Sequence, residues 1–319
     1  MSDHLNKKVL LIGTTQMAMD YLKVLSALNC TTVVVGRGIE NALSFEKATG
    51  LKVCVGGIEK FVAENSLADF DSAIVAVGAE KLKDVTISIL SKGLRKVLLE
   101  KPGGLNVQEI ELLAAETSKY KADVLLAYNR RFYSSVLEAE KIIAKDGGVK
   151  SFQFEFTEWS HKLETLATKE IVKNNWLFVC STHPIDLAFY LGGKPQEMKS
   201  FAGGKLSWHN KAIFYGAGST DKGILFSYSA NWAAPGRWAV EILTDNYRLY
   251  FKPMEELHVQ NKGSVAVVKA EVDNSLDVEF KPGLYLQTKA FLQEDYKRFL
   301  TIAQQAEMAV FYEQIGNGN

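Results

Sequence analysis

The first 127 residues repeat one pattern that leaves few folds open: a short apolar run, then a stretch with helical periodicity. Lys8-Val9-Leu10-Leu11-Ile12-Gly13 is apolar almost throughout, as a strand buried on both faces must be. Met17, Ala18, Tyr21, Leu22, Leu25 and Leu28 then recur at helical spacing. Thr31 to Val35 is rich in β-branched residues and predicts a second strand. A helix from Glu40 to Thr49 and strands from Leu51 to Val55 and Ala73 to Val77 follow. Leu82, Val85 and Ile89 mark another helix before the strand Lys96 to Leu99. Asn106-Val107-Gln108-Glu109 resembles a capping box with Asn as the cap, and Asp123 to Ala127 is a further strand. Alternation at this density predicts an α/β fold with a doubly wound, mostly parallel sheet.

Beyond residue 127 the pattern changes. Tyr128-Asn129-Arg130-Arg131-Phe132-Tyr133 precedes a helix that Ser135 is expected to cap. Ser181-Thr182-His183-Pro184-Ile185-Asp186 opens a helix ending at Gly192-Gly193. Aromatic and β-branched segments dominate from Ala212 to Phe280, and one helix is expected from Gln287 to about Tyr312. An α/β half followed by a β-rich half implies two domains, 1–127 and 128–319.

Composition excludes several classes. The 37 basic and 37 acidic residues cancel, which argues against non-specific binding to nucleic acid or an anionic membrane. No run of eighteen apolar residues spans a membrane. Met1 to Lys8 is polar, without the apolar core of a signal peptide, so a cytoplasmic protein is expected. Cys30, Cys54 and Cys180 read as reduced thiols with no metal-ligand spacing, and no metal is expected.

The chemistry-bearing signals sit at the ends of the strands. The turn Gly13-Thr14-Thr15-Gln16-Met17-Ala18 stands where a dinucleotide fingerprint has Gly at its first, third and sixth places. Ala18 suits close helix packing; Thr15 hinders the nearest backbone approach to a pyrophosphate, though its hydroxyl has a proton to donate to a phosphate oxygen. The second strand ends in Val35-Gly36-Arg37, with no acid until Glu40. An arginine in place of a ribose-binding acid suits a 2′-phosphate, so NADP(H) is favoured over NAD(H). The fifth strand ends in Glu100-Lys101-Pro102. Ligands of open α/β sheets bind beyond the carboxyl ends of the strands, which makes Lys101 a candidate proton carrier. Pro102 pushes Lys101 away from helical geometry and permits a cis bond.

Four features in this order and spacing resemble the Gfo/Idh/MocA oxidoreductase family over nearly the whole chain: the turn at Gly13; Glu100-Lys101-Pro102; Asn129-Arg130-Arg131-Phe132; and His183-Pro184-Ile185-Asp186 before a Leu-Gly-Gly helix end. The resemblance implies a Rossmann domain over 1–127 and, over 128–319, an α/β domain with a large open-faced sheet that binds substrate and forms a homodimer or homotetramer. It implies an NAD(P)-dependent oxidoreductase moving a hydride to or from a hydroxyl-bearing carbon of a sugar, inositol or nucleotide sugar. Lys101 and His183 are then the expected catalytic residues. The cofactor is expected to touch Gly13, Thr14, Thr15, Gln16 and Met17, then Gly36 and Arg37, Val77 and Gly78, Glu100 and Lys101, and Asn129 and Arg130. Arg131, Tyr133, Asn175, Trp176, Thr182 and His183 are expected at the substrate. A lysine with a pKa of ~10.4 is a poor base near neutrality, so burial or a neighbouring cation has to lower it.

One position departs from the family pattern. Its members commonly carry an aspartate four residues before the histidine, and here that place is Val179. Three readings stay open: Lys101 and His183 suffice; the substrate differs, as in biliverdin reductases; or the chain is a catalytically degenerate regulatory protein that binds a dinucleotide or a sugar.

Overall fold

The apolar runs of the N-terminal half build one sheet in the computed structural model, which describes residues 5–319. Of the polar Met1–Lys8 stretch, the first four residues lie outside the described ones. Strands β1 (Lys8–Ile12), β2 (Thr31–Gly36), β3 (Val53–Val55), β4 (Ser72–Val75), β5 (Lys96–Leu99) and β6 (Asp123–Leu126) pair in parallel. They alternate with helices α1 (Gln16–Ala27), α2 (Ile39–Thr49), α3 (Gly57–Glu64), α4 (Leu82–Ser91) and α5 (Val107–Lys119). The spatial order β6-β5-β4-β1-β2-β3 reverses between β1 and β4, the switch point beside which such sheets bind ligands. Val9, Leu10, Leu11, Val97, Leu98 and Leu99 are fully buried, because both sheet faces are covered. Asn106 caps α5 as expected: its side-chain oxygen accepts from the Glu109 N–H at 2.9 Å, while the Glu109 carboxylate accepts from the Leu105 N–H.

The remainder of the chain opens with α6 (Ser134–Lys145), β7 (Ser151–Glu155), and the short helices α7 (Ser160–Leu163) and α8 (Glu170–Asn174). A π-helical stretch, Leu177–Ser181, leads into α9 (Thr182–Gly192). Then come β8 (Pro195–Gly203), β9 (Ile213–Thr220), β10 (Leu225–Asn231), β11 (Ala239–Leu243), β12 (Tyr247–Phe251), β13 (His258–Asn261), β14 (Val267–Lys269) and α10 (Ser275–Glu279). These strands form an eight-stranded sheet, β14-β13-β12-β11-β7-β10-β9-β8, in which only β7 and β10 pair in parallel. One face buries Phe152, Phe154 and Phe226 around Phe189 of α9, with ring centroids 5.0–5.8 Å apart. Gly192 lets α9 come that close, since a Cβ there would lie 2.2 Å from the Phe152 ring. The opposite face leaves Phe201 and Tyr215 exposed.

The expected long C-terminal helix is two helices, α11 (Leu284–Leu292) and α12 (Ile302–Asn317), separated by the two-residue strand β15 (Leu300–Thr301). Glu294 turns the chain through a left-handed φ of 62°, and Leu300 then pairs antiparallel with Leu126 at the edge of the first sheet. Ser135 is not the cap of α6. Tyr133 holds that place, and the Ser135 hydroxyl donates to the Met254 carbonyl at 2.9 Å. The chain divides into two compact units: residues up to Asn129 with Leu276–Glu307, and Arg130–Ser275 with Met308–Asn319. No helix among the described residues is long and apolar enough to cross a membrane, and Cys30, Cys54 and Cys180 are free thiols.

Candidate functional site

In the first unit, Gly13 turns the chain out of β1 at φ +133°, and a Cβ there would lie 2.2 Å from the carbonyl oxygen of Ala76. Only glycine fits. Its N–H donates to the Val35 carbonyl at 2.9 Å, so the turn is held between the ends of β2 and β4. Thr15 occupies the cap position of α1 without a capping side-chain bond; its hydroxyl donates to the Ala76 carbonyl at 3.4 Å instead. The first turn of α1 carries no acid, which leaves its N–H groups as an anion-favouring end. Ala18 is fully buried, as close helix packing requires.

Beyond this turn lies a cavity of about 200 Å³, lined by Gly13, Thr14, Thr15, Gly36, Arg37, Val77 and Gly78. Seven residues predicted from sequence to hold the cofactor therefore share one pocket; Gln16 and Met17 do not line it, and Gln16 gives its amide to Asp20 at 2.9 Å. A glycine without room for a Cβ, an uncapped helix N-terminus and a pocket at the ends of β1, β2 and β4 fit the adenosine and phosphate part of a dinucleotide. The pocket also contains Glu59, near the start of α3. The expectation of NADP(H) rests on the lack of an acid at the end of β2, and Glu59 brings one to that pocket from another element. The Gly56-Gly57 pair, at φ +117° and +83°, is the sequence signal of the tight entry that places it.

The same unit holds Glu100-Lys101-Pro102. The Glu100 N–H continues the β4–β5 ladder to the Val75 carbonyl at 3.0 Å, and its carboxylate accepts from the Tyr21 hydroxyl at 2.9 Å. Burial raises the Glu100 pKa, against the opposing pull of Lys101, the Tyr21 hydrogen bond and Lys281. The Lys101–Pro102 bond is cis. The Pro102 carbonyl accepts from the Gln305 amide, which also donates to the Tyr128 hydroxyl, both at 3.0 Å. Lys101 thus projects, half-buried, from a loop fixed on either side. Asn129 gives its amide to the Pro282 carbonyl at 2.9 Å.

In the second unit, Arg130 and His183 flank one ring. The Arg130 guanidinium lies 4.7 Å from the centroid of Trp238, and the buried His183 ring lies 5.8 Å from it. Arg130 also lies 5.8 Å from the Tyr133 ring. Arg131 is different: its buried guanidinium makes a bidentate pair with Asp186, at 2.8 and 2.6 Å, and stacks 4.6 Å from Tyr190. That pair ties α9 in place, and a side chain so committed has little to offer a substrate. The Thr182 hydroxyl is fully buried and donates to the Phe178 carbonyl at 2.9 Å; the Asn175 amide donates to Ile171 at 2.8 Å. Trp176 packs edge-on against Trp208.

Val179 falls within the π-helical stretch before α9. The sequence reading overlooked a buried acid nearby, Glu158, which accepts from the Ser181 hydroxyl at 2.7 Å and the Trp238 indole at 3.2 Å, with Arg237 at 3.6 Å. Burial raises its pKa, opposed by Ser181, Arg237 and Trp238. The signal was present: Phe152, Phe154, Phe156 and Glu158 are at alternate positions, so an acid continues the inward phase of β7 past its end at Glu155. Among the described residues no group of His, Cys, Asp and Glu side chains is arranged to hold a metal ion.

Residues 7–128 match the family model GFO_IDH_MocA, described as an oxidoreductase family with an NAD-binding Rossmann fold. No curated protein sequence matches the chain. Among solved structures, a levoglucosan dehydrogenase in complex with NADH and L-sorbose is similar at a TM-score of 0.81 and 16% identity, covering 98% of this chain and 96% of that one. An oxidoreductase from Agrobacterium radiobacter, in complex with NAD+, L-tartaric acid and magnesium, follows at 0.78 and 11%, covering 98% and 96%. UDP-N-acetylglucosamine 3-dehydrogenase GnnA from Acidithiobacillus ferrooxidans matches at 0.75 and 12%, covering 98% and 97%. At such identities these likenesses speak for the fold.

Proposed function

We propose, on the match of residues 7–128 to the Gfo/Idh/MocA family model, a nicotinamide-dependent dehydrogenase or reductase acting on a hydroxyl-bearing carbon of a sugar, inositol or nucleotide sugar. The observation that carries the reading is the glycine turn and its pocket on the same sheet as a fixed Glu100-Lys101-Pro102 loop. Similar folds from a levoglucosan dehydrogenase and a nucleotide-sugar dehydrogenase support the substrate class. Residues 1–127 carry the dinucleotide in this reading, and 128–319 supply substrate contacts.

When bound, the nicotinamide accepts or supplies the hydride. In the oxidative direction the substrate loses a hydride from carbon and a proton from oxygen, and a C=O bond forms. Lys101 takes that proton, and returns it in reduction. Glu100 positions the loop. His183, in the first turn of α9 and against the Trp238 ring, offers a hydrogen bond to a substrate oxygen. Arg130 supplies positive charge.

Arg37, on which the expectation of NADP(H) rests, lines the pocket together with Glu59, an acid that weighs toward NAD(H). The exposed aromatic face with Phe201 and Tyr215 supports a homodimer or homotetramer through the second sheet, and the free thiols suit a cytoplasmic setting. Val179 favours a second reading, a non-catalytic protein that binds a dinucleotide or sugar and acts through a partner.

The test is a panel of sugars, inositols and sugar nucleotides, followed by nicotinamide absorbance, with wild type and Lys101→Ala. Turnover with one class, abolished in the variant while NADH binding persists, is the expected result. Binding without turnover on the whole panel favours the regulatory reading, and no binding of either reduced cofactor overturns both.

A further inference from the structure

Resting on the dinucleotide reading above, we infer that Glu59 is the residue that selects the cofactor, taking the place of the missing acid at the end of β2 and making the chain specific for NAD(H) over NADP(H). Dinucleotide folds place the adenosine ribose beyond the end of the second strand. β3 is the neighbour of β2 in the sheet, so the turn after β3 lies beside that position. The Gly56 N–H donates to the Gly36 carbonyl at 3.0 Å, which fixes the start of α3 against the end of β2. From there Glu59 curls back over Gly57: a Cβ on that glycine would lie 3.0 Å from the Glu59 carboxylate and 3.9 Å from the Arg37 stem. The acid and the arginine thus share one floor, and among the described residues no ion pair joins them.

The other acids do not fill this role. Glu40 does not line the pocket. Glu80 lines it, but from the side of β4, across β1 from β2, and its carboxylate lies against Gly78. A carboxylate with open lone pairs at the ribose end accepts from the 2′- and 3′-hydroxyls, charge-assisted bonds that a 2′-phosphate abolishes. That phosphate carries up to about two negative charges and would face the acid directly. Arg37 then meets the adenine with the flat face of its guanidinium, a use of arginine that needs no phosphate.

The experiment is fluorescence titration of NADH and NADPH into wild type, Glu59→Gln and Arg37→Ala. Wild type is expected to bind NADH at least about tenfold more tightly than NADPH, the ratio that one charge-assisted hydrogen bond commands. Glu59→Gln should weaken NADH and tighten NADPH, bringing the two within about threefold. Arg37→Ala should weaken both cofactors in similar proportion. Wild type that prefers NADPH, or a preference that Glu59→Gln leaves unchanged, overturns the inference while the dinucleotide site stands. Binding of neither cofactor overturns the dinucleotide reading and the inference together.

Discussion

The hydroxyl of Tyr21, on the helix that follows the glycine turn, donates at 2.9 Å to the carboxylate of Glu100, the residue preceding Lys101. Burial and the neighbouring Glu100 raise the Tyr21 pKa well above its ordinary value, so the phenol keeps its proton and is the donor. Gln287 of α11 completes the arrangement. Its amide oxygen accepts from the Tyr128 and Asn129 N–H groups at 3.3 and 3.1 Å, which turns its nitrogen toward the Tyr21 hydroxyl, 3.5 Å away. The helix after the glycine turn and the loop that presents Lys101 are therefore joined through one buried hydroxyl.

Tyr21→Phe removes that hydroxyl and little else. The loss of a hydrogen bond to a buried charged group is expected to cost about 1.5–3 kcal/mol near neutral pH. The cost should shrink in acid. Glu100 already has a folded-state pKa above the unfolded one, so its favourable contribution is present at low pH and fades as pH rises through the raised value. Without the Tyr21 bond, which lowers that pKa, the charged form is held still less well. Urea midpoints of wild type and variant at about pH 4.5 and about pH 7.5 measure the difference. An equal cost at both values would show that Glu100 is not the partner that matters.

Arg131 and Asp186 form a buried pair whose side chains are 8% and 2% exposed. Arg131→Met leaves the Asp186 carboxylate buried without its bidentate partner, and a loss of about 3–5 kcal/mol is expected. Replacing both, Arg131→Met with Asp186→Leu, should restore most of that loss, because an apolar pair needs no compensation for desolvation. Chemical denaturation of the single and double variants decides this. A double variant no better than the single one would mean that Arg131 holds more than Asp186.

The first unit was legible because its physics is local. Parallel strands buried on both faces must be apolar throughout, and the caps and breakers between them, Asn106 and Pro102 among them, act within a few residues. The turn after β1 was legible for the same reason, since Gly13 has one stereochemical requirement. What escaped depends on contacts distant in sequence. The break between α11 and α12 follows from Leu300 pairing with Leu126. The commitment of Arg131 follows from Asp186, 55 residues away. Glu59 was passed over because it lies on the third strand's helix while the motif directs attention to the second. Val179 marks the place of an absent acid, whereas Glu158 lies three residues beyond the end of β7, in phase with its inward side chains.

That acid gives the last prediction. Glu158 is 3% exposed, and its carboxylate meets the Ser181 hydroxyl, the Trp238 indole and, at 3.6 Å, Arg237. Trp238 packs against the His183 ring and Ser181 precedes that histidine by two residues, so this carboxyl is tied to the histidine's neighbours without standing in the place of Val179. Burial outweighs these partners and lifts its pKa above the ordinary value of about 4.3. A carboxyl that holds its proton longer folded than unfolded stabilises the fold in acid, and that contribution is lost as pH rises through the raised value. Glutamine loses nothing over the same range. The melting temperature of Glu158→Gln minus that of wild type should therefore rise between about pH 4 and about pH 7. A difference that stays flat or falls across that range would mean that Arg237 and the two donors hold Glu158 as an ordinary anion.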